Sequence, residues 1–171
     1  MTLWIYKPVS VKVPTPVVFI APAGTNLIEG NNLNVADMPE HLPYAQEGMI
    51  VVAYSLSGYA DKQASEEADD AAIKQFIRSK MGLINAQIAI DYAFSKIAQI
   101  DRERVFAVGH SSAGMLSLQL AIHDSRITHC IAYNPASTYQ WNFPDEIRES
   151  FIRYYEGLGQ AFQAYDPLNH A

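Results

Sequence analysis

The chain has 171 residues, 49% of them hydrophobic, which suits one domain with a buried core. Eighteen acidic residues against twelve basic ones leave a net charge of −6. With no Lys/Arg cluster, that balance argues against a nucleic-acid partner. The one cysteine, Cys130, excludes an internal disulfide and fits a reducing compartment. Residues 1–8 lack the pattern of a secretory leader, and no apolar run approaches the roughly 20 residues of a spanning helix. The expectation is a cytoplasmic protein with no membrane partner.

Apolar runs alternate with turn-rich segments, the signature of an α/β chain in a single domain over 1–171. Residues 3–6 read as a short strand, and the proline-rich stretch 7–16 as a connection. Val17-Val18-Phe19-Ile20 is a continuous apolar run, typical of a strand buried on both faces. Residues 21–43 read as a long loop, and 49–54 as the next buried strand. A helical region over 64–98 opens on Glu66, Glu67, Asp69 and Asp70, and its first stretch ends on Arg78 and Lys80, which suits the helix dipole. Its apolar stripe shifts face after Ile84, so Gly82 is a candidate break. Residues 105–108 form a strand, 112–123 a helix and 130–133 a last strand. Residues 146–162 read as one amphipathic helix, with Ile147, Phe151, Ile152, Tyr155 and Leu158 on its apolar side.

The segment richest in chemistry is Val105-Phe106-Ala107-Val108-Gly109-His110-Ser111-Ser112-Ala113-Gly114. An apolar strand enters a turn of small residues and leaves as a helix, the context a nucleophile elbow requires. The tight turn needs small neighbours two residues before and after the serine, and Gly109 and Ala113 fill those places. Ser111 is therefore the candidate nucleophile. Ser112 is the rival, but its spacing to Gly109 and Gly114 does not fit the turn. The Ser112 amide, at a helix N-terminus, is a candidate oxyanion donor. A second donor is expected from the loop after strand 17–20, at Ala23 or Gly24. Pro22 and Gly24 as mere turn-formers is the open alternative.

Gln99-Ile100-Asp101-Arg102-Glu103-Arg104-Val105, the elbow and Asp124-Ser125-Arg126-Ile127 together resemble the central stretch of α/β hydrolases. Within them the chain resembles dienelactone hydrolases, related carboxylesterases and prolyl-oligopeptidase-like enzymes. The resemblance covers nearly the whole chain and implies a mostly parallel sheet sandwiched by helices. It also implies acyl transfer by a serine that a His–Asp pair activates. In that family the acid and the histidine follow two further strands, so on this alignment the chain stops before them, as a truncated frame or a short variant. Asp166 has a spacing from Ser111 suited to a compact hydrolase's acid. His170, the accompanying base candidate, follows it so closely that a surface tail is the better reading.

The other histidines fit the role less well. His41 lies in the long loop and could reach the site. His110 sits inside the elbow and packs beside the nucleophile. His123 and His129 bracket the turn at the far end of the sheet, whereas active sites gather at the carboxyl ends of the strands. Cys130 reads as a buried core thiol. No metal-ligand spacing and no phosphate-binding glycine loop is present, so no cofactor is expected. Two functions follow: a serine hydrolase acting on a small-molecule ester or related acyl substrate, or a hydrolase-like protein without catalytic competence. Strand 130–133 is expected to lie at a sheet edge. With helix 146–162 it would form a homodimer interface, and Phe151, Tyr154, Tyr155 and Phe162 are the candidate apolar patch.

Overall fold

A computed structural model describes residues 1–10, 13–24, 31–61, 63–135 and 145–170. The elements in chain order are β1 (Leu3–Tyr6), β2 (Thr15–Ile20), α1 (Met38–Gln46), β3 (Ile50–Tyr54), α2 (Glu66–Arg78), α3 (Leu83–Lys96), β4 (Ile100–His110), α4 (Ser111–His123), β5 (His129–Tyr133), α5 (Asp145–Tyr154) and α6 (Leu158–Tyr165). The five strands form one sheet in the order β1-β3-β2-β4-β5. Only β1 runs antiparallel, against β3; the other three pairings are parallel. Parallel neighbours need crossovers, and the helices supply them on both faces.

The continuous apolar runs become the central strands. Val17, Val18, Phe19 and Ile20 of β2 and all of β3 are buried, and each such side chain contributes about 1.5–3 kcal/mol of burial. On one face α3 packs Ala86, Ala89, Ile90 and Ala93 against Val17, Phe19 and Val52, joined by Leu116 and Leu120 of α4. Its alanines, three and four residues apart, let the helix approach the sheet closely. On the other face Val18, Ile20, Val51, Ala53 and Val108 lie beneath Tyr44 and Ala45 of α1. Buried Asn85 of α3 accepts from the Ser57 amide at 3.1 Å and donates to the Ser57 hydroxyl at 3.0 Å, fixing the loop after β3.

Two element boundaries differ from the sequence reading, and the candidate break at Gly82 is present. The loop expected to Pro43 contains α1. Asn34 and Asp37 form a reciprocal capping box around the 3₁₀ turn Val35–Asp37, and Pro39 sits in the first turn of α1, where its missing N–H costs nothing. The helical region 64–98 is two helices, separated by Lys80, Met81 and Gly82 with φ of +55°, +57° and +93°. Ser79 Oγ holds that turn, donating to the Phe76 carbonyl and accepting from the Gly82 amide.

The single helix expected over 146–162 is also two, parted at Gly157 (φ +84°). The Ile147 side chain, part of the expected apolar stripe, lies outside the described residues, as do Thr25 and Gly30 of the long loop.

The break at Gly157 overturns the expected patch. Tyr155, Leu158, Ala161 and Phe162 are buried against Ala72, Ile73 and Phe76 of α2 and Met115 of α4, and Phe151 packs partly on the same cluster. Only Tyr154 stands out, at 70% exposure. Residues 146–162 therefore cover α2 and do not lie open beside β5. The strand β5 is at the sheet edge, with Ile131 and Tyr133 exposed. For that reason Cys130 is half-buried and not a fully enclosed core thiol.

Candidate active site

β4 runs to His110, and Ser111 follows with φ of +52° before α4 continues. A left-handed non-glycine residue costs about 1–2 kcal/mol, and packing has to hold it there. The small residues of the turn do so. A Cβ on Gly109 would stand 2.3 Å from the Ala113 carbonyl carbon, so no larger residue fits while this turn is kept. At Gly114 a Cβ would meet the Gly109 oxygen at 2.9 Å and Pro135 at 3.2 Å. Ala113 itself is buried and its methyl is accommodated. His110 precedes the helix in an extended conformation and supplies no side-chain cap, so it does not occupy the first amides of α4.

The loop after β2 is tied directly to this turn. Ser112 Oγ accepts from the Gly24 amide at 2.9 Å and donates to the Gly24 carbonyl at 3.1 Å. Of the two loop amides considered as oxyanion donors, that of Gly24 is therefore committed to Ser112, and Ala23 remains the candidate. Sequence reasoning considered Ser112 only for its amide and as a rival nucleophile. Its hydroxyl's role as a tie spans 88 residues, and no local pattern signals it.

The proposed acid and base are not brought to Ser111. His170 sits edge-on against His123 with ring centroids 5.0 Å apart, and Tyr165 meets the same ring at 5.7 Å. His123 ends α4, twelve residues beyond Ser111, a separation of about 18 Å at the rise of an α-helix. Asp166 is buried, and its carboxylate accepts from the Leu168 amide at 3.1 Å, shaping the 3₁₀ turn Pro167–His170. The segment 165–170 thus packs on the wrong end of α4.

His41 does not reach the site either. It lies buried in α1 against Tyr6 of β1, with ring centroids 5.6 Å apart, and burial holds its pKa below the ordinary value, against the opposing pull of Asp37 and Glu40. His129 opens β5 and stacks on Phe106 at 4.5 Å.

One histidine remains beside the elbow. His110 stacks on Tyr133 at the end of β5, with centroids 5.2 Å apart and planes 17° from parallel. Glu40 of α1 bridges the pair, with Oε1 3.7 Å from His110 Nδ1 and Oε2 accepting from the Tyr133 hydroxyl at 3.2 Å. Burial and then the Glu40 charge push the Tyr133 phenol up to about 12. Strand alternation turns His110 to the α1 side of the sheet. All five histidines of the chain fall within the described residues, and among those residues none hydrogen-bonds Ser111. Among the described residues no three His, Cys, Asp or Glu side chains cluster as metal ligands, and no helix is long and apolar enough to cross a membrane.

No protein-family model matches the sequence. No curated protein matches it either. Solved structures do match the fold. An acylaminoacyl peptidase of Pyrococcus horikoshii aligns over 97% of this chain at a TM-score of 0.68 and 20% identity, covering 27% of that chain. An acetyl xylan esterase from Paenibacillus sp. R4 aligns over 98% of this chain and 56% of its own, at 0.59 and 17% identity. A sugar hydrolase from Lactococcus lactis aligns over 94% and 60%, at 0.60 and 18% identity. The chain thus spans between about a quarter and three fifths of the length of the solved structures it matches. These proteins have the α/β-hydrolase fold, and the five-stranded, mostly parallel sheet with its flanking helices is that fold.

Proposed function

We propose that this chain carries the nucleophile and oxyanion half of a serine hydrolase that acts on an ester or related small acyl substrate. The observation that supports it most is the left-handed Ser111 at the junction of β4 and α4, enclosed by Gly109 and Gly114. In this reading Ser111 Oγ forms a bond to the acyl carbon. The Ser112 and Ala23 amides take up the charge developing on the carbonyl oxygen. The serine proton passes to hydroxide or water, the bond between the acyl carbon and the alcohol oxygen breaks as the acyl–Ser111 ester forms, and the departing oxygen takes a proton from water to leave as the alcohol. The likeness to esterases and a peptidase of the same fold is consistent with this chemistry.

A second reading is favoured by one observation, the distance of His170 and Asp166 from the elbow. Without a base at Ser111, turnover rests on the oxyanion site and binding, a residual acceleration of about 10³–10⁴ over water. In that reading the protein is a hydrolase-like chain without full catalytic competence.

A fluorophosphonate probe tests the proposal. Slow labelling that stops at one adduct per chain and is lost in Ser111→Ala is the expected outcome. Labelling unchanged in Ser111→Ala, or rapid labelling that His170→Ala abolishes, would contradict it.

A further inference from the structure

Among the described residues, four non-glycine residues have left-handed φ. Lys80 and Met81 shape the turn between α2 and α3. The other two are Ser111 (φ +52°) and Asn134 (φ +47°). These two stand side by side. The register of β4 on β5 ends with Gly109 opposite Ala132 and His110 opposite Tyr133, so Ser111 and Asn134 are the next residues on two adjacent parallel strands. Such strands run about 5 Å apart. Both residues lie at the carboxyl end of the sheet, where sites of this architecture form.

Asn134 is pinned there from both directions. The residues before the pair, His110 and Tyr133, stack with planes 17° from parallel and share Glu40. The residue after it, Pro135, lies on the elbow helix: a Cβ on Gly114 would stand 3.2 Å from Pro135 Cβ. Gly114 thus leaves room for the turn after β5. Asn134 is exposed, and its carboxamide makes no hydrogen bond among the described residues. A turn alone would be served at lower cost by glycine, which takes a left-handed φ freely. A strained residue beside a site, with its polar group unused, is a candidate to act on the substrate.

The strand order β2-β4-β5 sets Ser111 between two flanks. The loop of Ala23 follows β2 on one flank, and Asn134 follows β5 on the other. An acyl carbon on Ser111 with its oxygen turned to the Ala23 and Ser112 amides presents its remaining substituents to the β5 flank. Of these, the alcohol oxygen gains negative charge as its bond to the acyl carbon breaks, so a hydrogen-bond donor there acts on it. We propose that the Asn134 carboxamide donates a hydrogen bond to that departing oxygen. It transfers no proton; water supplies the proton with which the alcohol leaves. The inference deepens the proposed function and rests on Ser111 as the nucleophile.

Leaving groups that differ in their need for help test it. Acetylation of Ser111 by phenyl acetate and by p-nitrophenyl acetate is followed by intact mass in the wild type, Asn134→Gly and Asn134→Asp. Nitrophenolate spreads its charge over the nitro group, whereas phenolate holds more of it on oxygen. Asn134→Gly keeps the left-handed turn and loses the carboxamide. It is expected to lower the phenyl acetate rate at least about tenfold and the p-nitrophenyl acetate rate less than about threefold. Asn134→Asp keeps the side-chain shape and tolerates the same φ, but replaces the donor. With phenyl acetate its rate is expected to fall at least as far. Equal losses with both esters in Asn134→Gly, or a wild-type phenyl acetate rate in either variant, would overturn the inference while Ser111 is still acetylated. No acetyl group on Ser111 with either ester contradicts the nucleophile, and the inference with it.

Discussion

At Ser111 a single residue is held in a conformation its own chemistry disfavours, and its neighbours show how. Gly109 and Gly114 remove the side chains that would collide with the turn, and Ser112 fastens the facing loop by accepting from and donating to Gly24. The two halves of the proposed oxyanion site, the Ser112 and Ala23 amides, come from segments about ninety residues apart. The pairing of β2 with β4 brings them side by side, and the Ser112 hydroxyl ties them beyond the strands. Ser112→Ala keeps the amide and loses the tie. We expect it to slow labelling of Ser111 by about tenfold to a hundredfold, as one misplaced donor does, while Ser112→Thr retains most of the rate. If Ser112→Ala labelled at the wild-type rate, the tie would have no role in the site. The elbow was legible because strand, turn and helix lie within a dozen consecutive residues, each with a local signature. The tie was not, since only the folded sheet brings residues 24 and 112 together.

Helices show the same division between local and distant information. The capping box at Asn34 and Asp37 and a proline in the first turn both announce α1, yet Gly24, Asn31 and Asn32 just before it made the whole stretch to Pro43 read as loop. The tail 158–170 turns back onto α4 through the break at Gly157. This is why Asp166, reasonable by spacing, ends with His170 at the opposite end of the helix from Ser111.

Between α4 and β5 the return turn is clasped by Asp124. Its carboxylate accepts from Arg126 Nε at 2.8 Å, Nη2 at 2.7 Å and the Arg126 amide at 3.1 Å, and Arg126 also reaches Asp91 of α3. Burial raises the Asp124 pKa, but these bonds together outweigh it and hold the carboxyl below its usual range. A depressed folded pKa contributes stability above the unfolded value of about 3.9 that is lost as pH falls through the folded one. Asp124→Asn is expected to cost about 2 kcal/mol at pH 7, between the values for exposed and fully buried ion pairs, because Asp124 is buried and Arg126 partly open to solvent. Urea midpoints should show that gap narrowing as pH falls below about 4. A gap that stays constant with pH would mean that the clasp does not act through its charge.

For the molecule as a whole, the parallel sheet and its helical layers were readable from the alternation of apolar runs and turns. The packing of the last helices was not, because their amphipathic pattern says that a face is buried but not on what. They cover α2, and the dimer surface expected from them reduces to the edge strand β5. Its outward side carries Ile131 and Tyr133, 45% and 39% exposed, without a proline or charged side chain on His129–Tyr133 apart from the titratable His129. Such an edge is a template for a second strand. We expect two copies to pair antiparallel about Ile131, giving twice the 19.0 kDa chain mass in light scattering at tens of micromolar. Ile131→Lys sets like charges opposite each other and should return the monomer. A wild-type monomer at that concentration would contradict the expectation.

We propose Ser111 as the nucleophile and expect that no histidine of the chain serves it. Incubation with p-nitrophenyl acetate, followed by intact mass and peptide mapping across pH, tests both parts at once. One acetyl group should appear on Ser111, be absent in Ser111→Ala and persist, because deacylation also needs a base. Its rate of formation should rise about tenfold per pH unit from about pH 6 to pH 9, with no inflection near the histidine value of about 6.5. No acetyl group on Ser111 would contradict the assignment of the nucleophile. Rapid release of the acetyl group, or an inflection near 6.5, would show that a histidine reaches the serine after all.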